Sequence, residues 1–119
     1  MSEFVYCLNT STIRPTPLLK KIAIAGKAGY QAIEPWNDEI TVYLQDGGSI
    51  AELRHAVADA GLKVVSMIAL HSWATSEGDE HVRVLDECRR RMEQAVAVGS
   101  PFIVASPPQE VVDLSLIHI

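Results

Sequence analysis

Cysteine is nearly absent from this chain: Cys7 and Cys88 are the only two among 119 residues. They form no CxxC pair and sit in no Cys/His cluster, which argues against a redox motif, and both read as small hydrophobes. Basic residues are also short, 10 Lys and Arg against 15 Asp and Glu for a net charge of −5. Such a balance does not build a surface that neutralises the phosphates of a nucleic acid. No apolar run approaches the roughly 18 residues that span a bilayer, and no signal-peptide pattern opens the chain. A membrane is therefore not an expected partner, and the reducing cytoplasm is the expected location. Dinucleotide binding is disfavoured too, because Asn9-Thr10-Ser11-Thr12 follows the first predicted strand where a GxGxxG turn would be needed. A small polar substrate is compatible with all of these absences.

What the chain does have is a core-forming composition, 48% hydrophobic with 21% charged residues, and a plan that recurs. A helical apolar pattern ends at a glycine suited to the left-handed C′ position, at Gly29, Gly61 and Gly99, and each time a short apolar run follows. Phe4–Leu8 reads as the first strand, ending on the loop-forming Asn9 to Thr12. Thr16 and Pro17 read as N-cap and N1 of a helix that runs to Gly29. Ala32–Pro35 is the second strand, with Ala32 and Glu34 on one face and Ile33 on the other, and Pro35 closes it. Asn37 to Gly48 is read as an unusually long connection, a class of loop that is commonly functional.

Ser49 opens a capping box with Glu52, and Ile50, Leu53, Val57 and Ala60 supply the apolar stripe of the next helix. Val64–Leu70 is an almost continuous apolar strand. Glu77, Asp79 and Glu80 lead into a third helix from about Glu80 to Val98, whose Arg89, Arg90 and Arg91 read as a solvated face. Phe102–Ala105 is the fourth strand. His55 and His81 fall on helices and read as surface residues. Polar and aromatic side chains gather just past the strand ends: Asn9, then Glu34 and Trp36, then His71 and Trp73, then Ser106 and Gln109. α/β folds place their sites there.

The order β-α-β-α-β-α-β at near-constant spacing predicts an α/β fold with parallel strands. Four strands in 119 residues extrapolate to ~240, near the roughly 250 of a complete (β/α)8 TIM barrel. The expectation is thus the N-terminal half of such a barrel, truncated. Residues 1–112 would form the partial barrel. Residues 113–119, DLSLIHI, are expected to be a tail foreign to it, leaving His118 uninformative.

CLNTSTIR at Cys7–Arg14, AGKAGYQAIEPW at Ala25–Trp36 and ADAGLKVVSM at Ala58–Met67 resemble the N-terminal half of the sugar phosphate isomerase/epimerase family. These are the xylose-isomerase-like barrels, whose relatives include inosose dehydratases, hydroxypyruvate isomerases and endonuclease IV. The resemblance spans roughly residues 4 to 110. It implies an isomerase or epimerase of a small sugar, sugar phosphate or polyol, working by metal-assisted proton transfer next to a carbonyl. A lyase or dehydratase of the same barrel family is the nearest alternative. A non-catalytic half-barrel that acts by assembly, as a homo-oligomer, is a further one. The divalent metal implied is Mn, Mg, Co or Zn, with Glu, Asp, His and Glu ligands from later strands, so no metal site is expected in these residues.

Within this sequence the resemblance matches Glu34 to the family's strand-2 glutamate, which faces the substrate, and the alternation of the strand independently puts Glu34 on the inward face. Glu34 is the candidate catalytic residue; the competing reading is a structural carboxylate paired with a neighbouring base. His71 has three readings: a structural histidine, a contact to a substrate hydroxyl, or a metal ligand as in the endonuclease branch. Trp36 and Trp73 are candidate apolar walls over a sugar ring, or rim packing. Asn9, at the mouth of the first strand, is a candidate hydroxyl binder.

Overall fold

A computed structural model describes residues 4–108 of the chain. Its elements are β1 (Cys7–Asn9), a 3₁₀ turn (Thr10–Ile13), α1 (Leu18–Lys27), β2 (Ala32–Glu34), α2 (Asn37–Gln45), α3 (Ile50–Asp59), β3 (Lys63–Val64), β4 (Met67–Leu70), α4 (Gly78–Val98) and β5 (Ile103–Ala105). All ladders are parallel. Cys7, Leu8 and Asn9 pair with Ala32, Ile33 and Glu34; Ala32 and Ile33 pair in turn with Lys63 and Val64. Met67 and Ile68 pair with Ile103 and Val104. A bridge from Trp36 to Ile68 joins the two sheets into one arc, with the Ile68 N–H donating to the Pro35 carbonyl at 3.2 Å.

β3 and β4 are successive parts of one predicted strand. The expected run Val64–Leu70 breaks between Val64 and Met67, so that its first half pairs with β2 and its second half with β5. The α/β arc therefore has four strand positions in the order of the sequence, a half-barrel arrangement.

Alternation along the strands separates two layers. Leu8, Ile33 and Met67 are buried against the helices, with Leu18, Ile22 and Ala25 from α1, Ile40 from α2, Leu53 and Val57 from α3, and Ala95 and Val98 from α4. Their neighbours Asn9 and Glu34 fall on the opposite, inner face. Ile22, Ile33, Ile40 and Met67 are at most 2% exposed, and burying each such side chain contributes about 1.5–3 kcal/mol.

The stop signals act as the sequence indicates. Gly29, Gly61 and Gly99 have φ of 95°, 74° and 86°, a region that costs a residue with a Cβ about 1 kcal/mol. Ser49 caps α3, its hydroxyl accepting from the Glu52 N–H at 3.1 Å. Pro17 occupies the cap of α1 itself, one position earlier than expected.

Two expectations are corrected. The connection from Asn37 to Gly48 is not a loop, because α2 fills most of it. Trp36 and Glu39 form its capping box, Asp38 and Glu39 favour its first turn, and buried Ile40 faces the core. The three arginines also do not share a solvated face. A helix advances about 100° per residue, so consecutive residues point in different directions, and Arg91 turns inward. Its side chain is 12% exposed against 65% and 44% for Arg89 and Arg90. It donates to the Ala69 carbonyl at 3.0 Å and pairs with Asp38 and Glu87. α4 begins at Gly78, slightly before the expected start. Gln109, the segment 113–119 and His118 lie outside the described residues.

Candidate active site

Asn9 is the last residue of β1, in register with Glu34, the last residue of β2. Its side-chain oxygen accepts from the Ser11 N–H at 2.9 Å, the Ser11 hydroxyl at 2.6 Å and the Trp36 indole N–H at 3.0 Å. The two N–H donors fix the orientation of the amide. Its Nδ2 is thereby aimed at Glu34 and donates to Oε1 at 2.8 Å. The chain reverses into the 3₁₀ turn at this point because Asn9 caps it. One side chain thus ends a strand, caps a turn, and holds both a carboxylate and an indole.

Below this layer is a second network. Glu39, in the first turn of α2, accepts from the Thr10 hydroxyl, from the Trp36 backbone N–H at 3.2 Å and from Lys21 of α1 at 3.2 Å. Lys21 is 4% exposed and Thr10 is fully buried. A buried ammonium is tolerated only with a partner, and Glu39 is that partner. Arg14 completes the rim with its guanidinium 6.0 Å from the centre of the Trp36 ring, within cation–π range.

The electrostatics of the inner face centre on Glu34. Partial burial and then the Glu34 charge push the Cys7 thiol above its ordinary pKa of 9.0, which suppresses thiolate formation there. Among the described residues, Glu34 Oε1 takes the Asn9 bond and Oε2 takes none. A carboxylate held at one oxygen and unengaged at the other can accept a proton or bind a hydroxyl.

The other predicted site residues are placed elsewhere. His71 follows β4 and lines a cleft with Ser72, Glu87, Cys88 and Arg91 against α4, with Cys88 Sγ 4.0 Å from its carbonyl. Trp73 lies in the turn after it, about one third exposed. The structure therefore brings Asn9, Glu34 and Trp36 together and leaves His71 and Trp73 outside that cluster. His55 is at the surface beside Asp59 at 3.1 Å. His81, expected to be solvated, is half-buried in the first turn of α4, its Nδ1 2.8 Å from the Ser76 hydroxyl.

Sequence reasoning missed Lys21, Thr10, Arg14 and Glu39. The signal for Glu39 was its position three residues after Trp36, the spacing of a capping box.

A divalent ion is implied by the resemblance, and the residues described do not fit one. Among them no group of three or more His, Cys, Asp or Glu side chains could hold a metal. Glu34 has an amide and an indole beside it, not further anionic ligands. Among the described residues no helix is long and apolar enough to cross a membrane.

No protein-family model and no curated protein matches the sequence. Solved structures do. The IOLI protein with a bound zinc atom superposes with a TM-score of 0.79 at 24% identity, over 92% of this chain and 41% of that one. A xylose isomerase domain-containing protein from Salmonella typhimurium LT2 gives 0.77 at 15% identity, over 94% and 40%. The probable 3-DHS dehydratase AsbF of Bacillus anthracis gives 0.72 at 17% identity, over 90% and 39%. The fold is that of a xylose isomerase-like TIM barrel, and the chain spans about two fifths of the length of these structures.

Proposed function

We propose that this chain forms one half of a barrel enzyme that isomerises or epimerises a small sugar, sugar phosphate or polyol by moving a proton next to a carbonyl. The observation that carries this reading is the Glu34 carboxylate at the inner end of β2, held at one oxygen by Asn9. The Glu34 carboxylate takes a proton from the carbon beside the carbonyl and becomes a carboxylic acid. It then returns the proton, to the neighbouring carbon in an isomerisation or to the opposite face of the same carbon in an epimerisation. The amide of Asn9 keeps that carboxylate in one rotamer through both transfers. Trp36, tied to the same amide, supplies an apolar wall against the C–H face of the substrate. His71 and Trp73, on the next strand end, contact more distant hydroxyls of the substrate. The ligands of any divalent metal come from residues other than those described, and no step is assigned to it. The free thiols of Cys7 and Cys88 suit a reducing, cytoplasmic setting.

The dehydratase among the similar structures favours one alternative outcome, in which the same proton abstraction is followed by loss of a β-hydroxyl as water. Both readings share the first step, so the experiment is Glu34→Gln in a complete barrel carrying this chain, read as kcat and as deuterium wash-in from D2O at the carbon beside the carbonyl. The substitution keeps volume and removes the base, and kcat should fall at least about 100-fold with wash-in lost. Activity within a few-fold of the parent excludes Glu34 as the base. Product analysis separates the two outcomes: an isomer for one, an unsaturated or keto product plus water for the other.

A further inference from the structure

We infer that the inner face and the two edge strands form an interface for a second copy of this chain, the two copies closing one eight-stranded barrel. The inference rests on the fold and not on the chemistry proposed above. β1 pairs only with β2, and β5 only with β4, among the described residues, so the arc ends in two parallel edges with unpaired backbone groups. Such edges seek partners.

The exposed large apolar side chains lie beside these edges. Val5 and Tyr6, leading into β1, are 63% and 59% exposed; Phe102 and Val104, at β5, are 71% and 38% exposed. The terminal helix α4 presents Val82 and Val96 at 60% and 75%, whereas α3, inside the arc, exposes no large apolar side chain among its described residues. Apolar surface concentrated at both ends of an open arc is surface that a completing half would cover. The structures with this fold have more than twice the length of this chain, which is the room that half occupies.

A second copy fits the requirement by symmetry. Rotation by 180° about the barrel axis preserves strand direction, so β5 of one copy meets β1 of the other in parallel register, and the same contact forms again on the far side. Four strand positions from each copy give eight, the number at which inward side chains fill a barrel. Both edges are used, so the assembly closes as a dimer and does not extend into a filament. Asn9 and Glu34 of each copy then lie at the same rim.

Light scattering of the 119-residue chain between 1 and 100 μM, with hydrogen exchange on the same samples, tests this. The expected result is twice the 13.0 kDa chain mass, with amides in segments 5–9 and 102–105 protected in the dimer and exchanging as it dissociates. A monomer throughout, aggregates of no fixed stoichiometry, or a dimer whose two edge segments exchange freely would each overturn the proposal. Tyr6→Lys with Phe102→Lys changes two exposed side chains and should weaken the dimer at least 100-fold with an unchanged far-ultraviolet spectrum. Undiminished dimerisation of that variant also overturns it. Should the double variant not fold, Val5→Lys alone is expected to weaken the dimer at least tenfold.

Discussion

Asn9 uses both ends of one amide, and its replacement separates two functions. Asn9→Ala removes the cap of the 3₁₀ turn and the bond to Glu34 together. Losing a side-chain cap costs about 0.5–2 kcal/mol, a loss that urea denaturation would show. Asn9→Asp keeps the acceptor for Ser11 and Trp36 but places a second carboxylate beside Glu34, whose pKa should rise as the two charges repel; NMR titration of the Glu34 carboxyl reads this. A different carboxylate responds to acid. Hydrogen bonds from Arg90, with added attraction from both Arg90 and Arg91, hold Glu87 at about 2 against an ordinary 4.5. A carboxyl depressed in the folded state stabilises above its unfolded pKa, and the contribution is lost as pH falls from about 4.5 towards 2. The pair is half-exposed, with side chains 44% and 46% accessible, so the effect is at most about 1 kcal/mol. Urea midpoints at pH 7 and pH 3 should differ less in Glu87→Gln than in the parent chain.

At the scale of elements, α1 is fixed by two close contacts. A Cβ built on Gly26 would lie 2.5 Å from the Ala60 carbonyl oxygen and 2.9 Å from its Cβ, so α1 and the end of α3 approach as closely as a glycine permits. Gly26→Ala must push them apart, at a cost of about 1–3 kcal/mol, visible as a lower Tm. The Lys21–Glu39 pair joins α1 to α2. Lys21→Met leaves a half-buried carboxylate without its cation, a loss of about 3 kcal/mol, and adding Glu39→Gln should restore about half of it. A denaturant-measured double-mutant cycle gives both values. This pair also shows why α2 was hidden. Pro35, Asn37 and Asp38 carry loop signals, and what ordered the segment were partners distant in sequence: Lys21, Thr10, and Gln94, which accepts from Asn37 at 2.9 Å. The other helices were legible because their caps, glycine stops and apolar stripes are local. Glu34 could be read from strand alternation and Asn9 from its place at a strand end, whereas the bond between them depends on parallel register that one strand alone does not specify.

For the whole molecule, the half-barrel arrangement separates what this chain can do from what it needs. Titration of the 119-residue chain with Zn²⁺ or Mn²⁺, followed by calorimetry, should show no tight stoichiometric binding, since no cluster of ligands stands among the described residues. A site of micromolar affinity or better would place the metal on this chain after all.

The apolar cluster lies wholly on the helical side of the sheet, while Asn9, Glu34 and Trp36 point the other way. Folding free energy and substrate recognition are therefore written in alternate letters of the same strands. A change at Leu8 or Ile33 is screened for stability, and a change one residue along is screened for chemistry. In such an arrangement an inner-face residue can be exchanged without eroding the margin that keeps the chain folded, so the preference for one polyol over another can drift through a lineage while the scaffold stays the same.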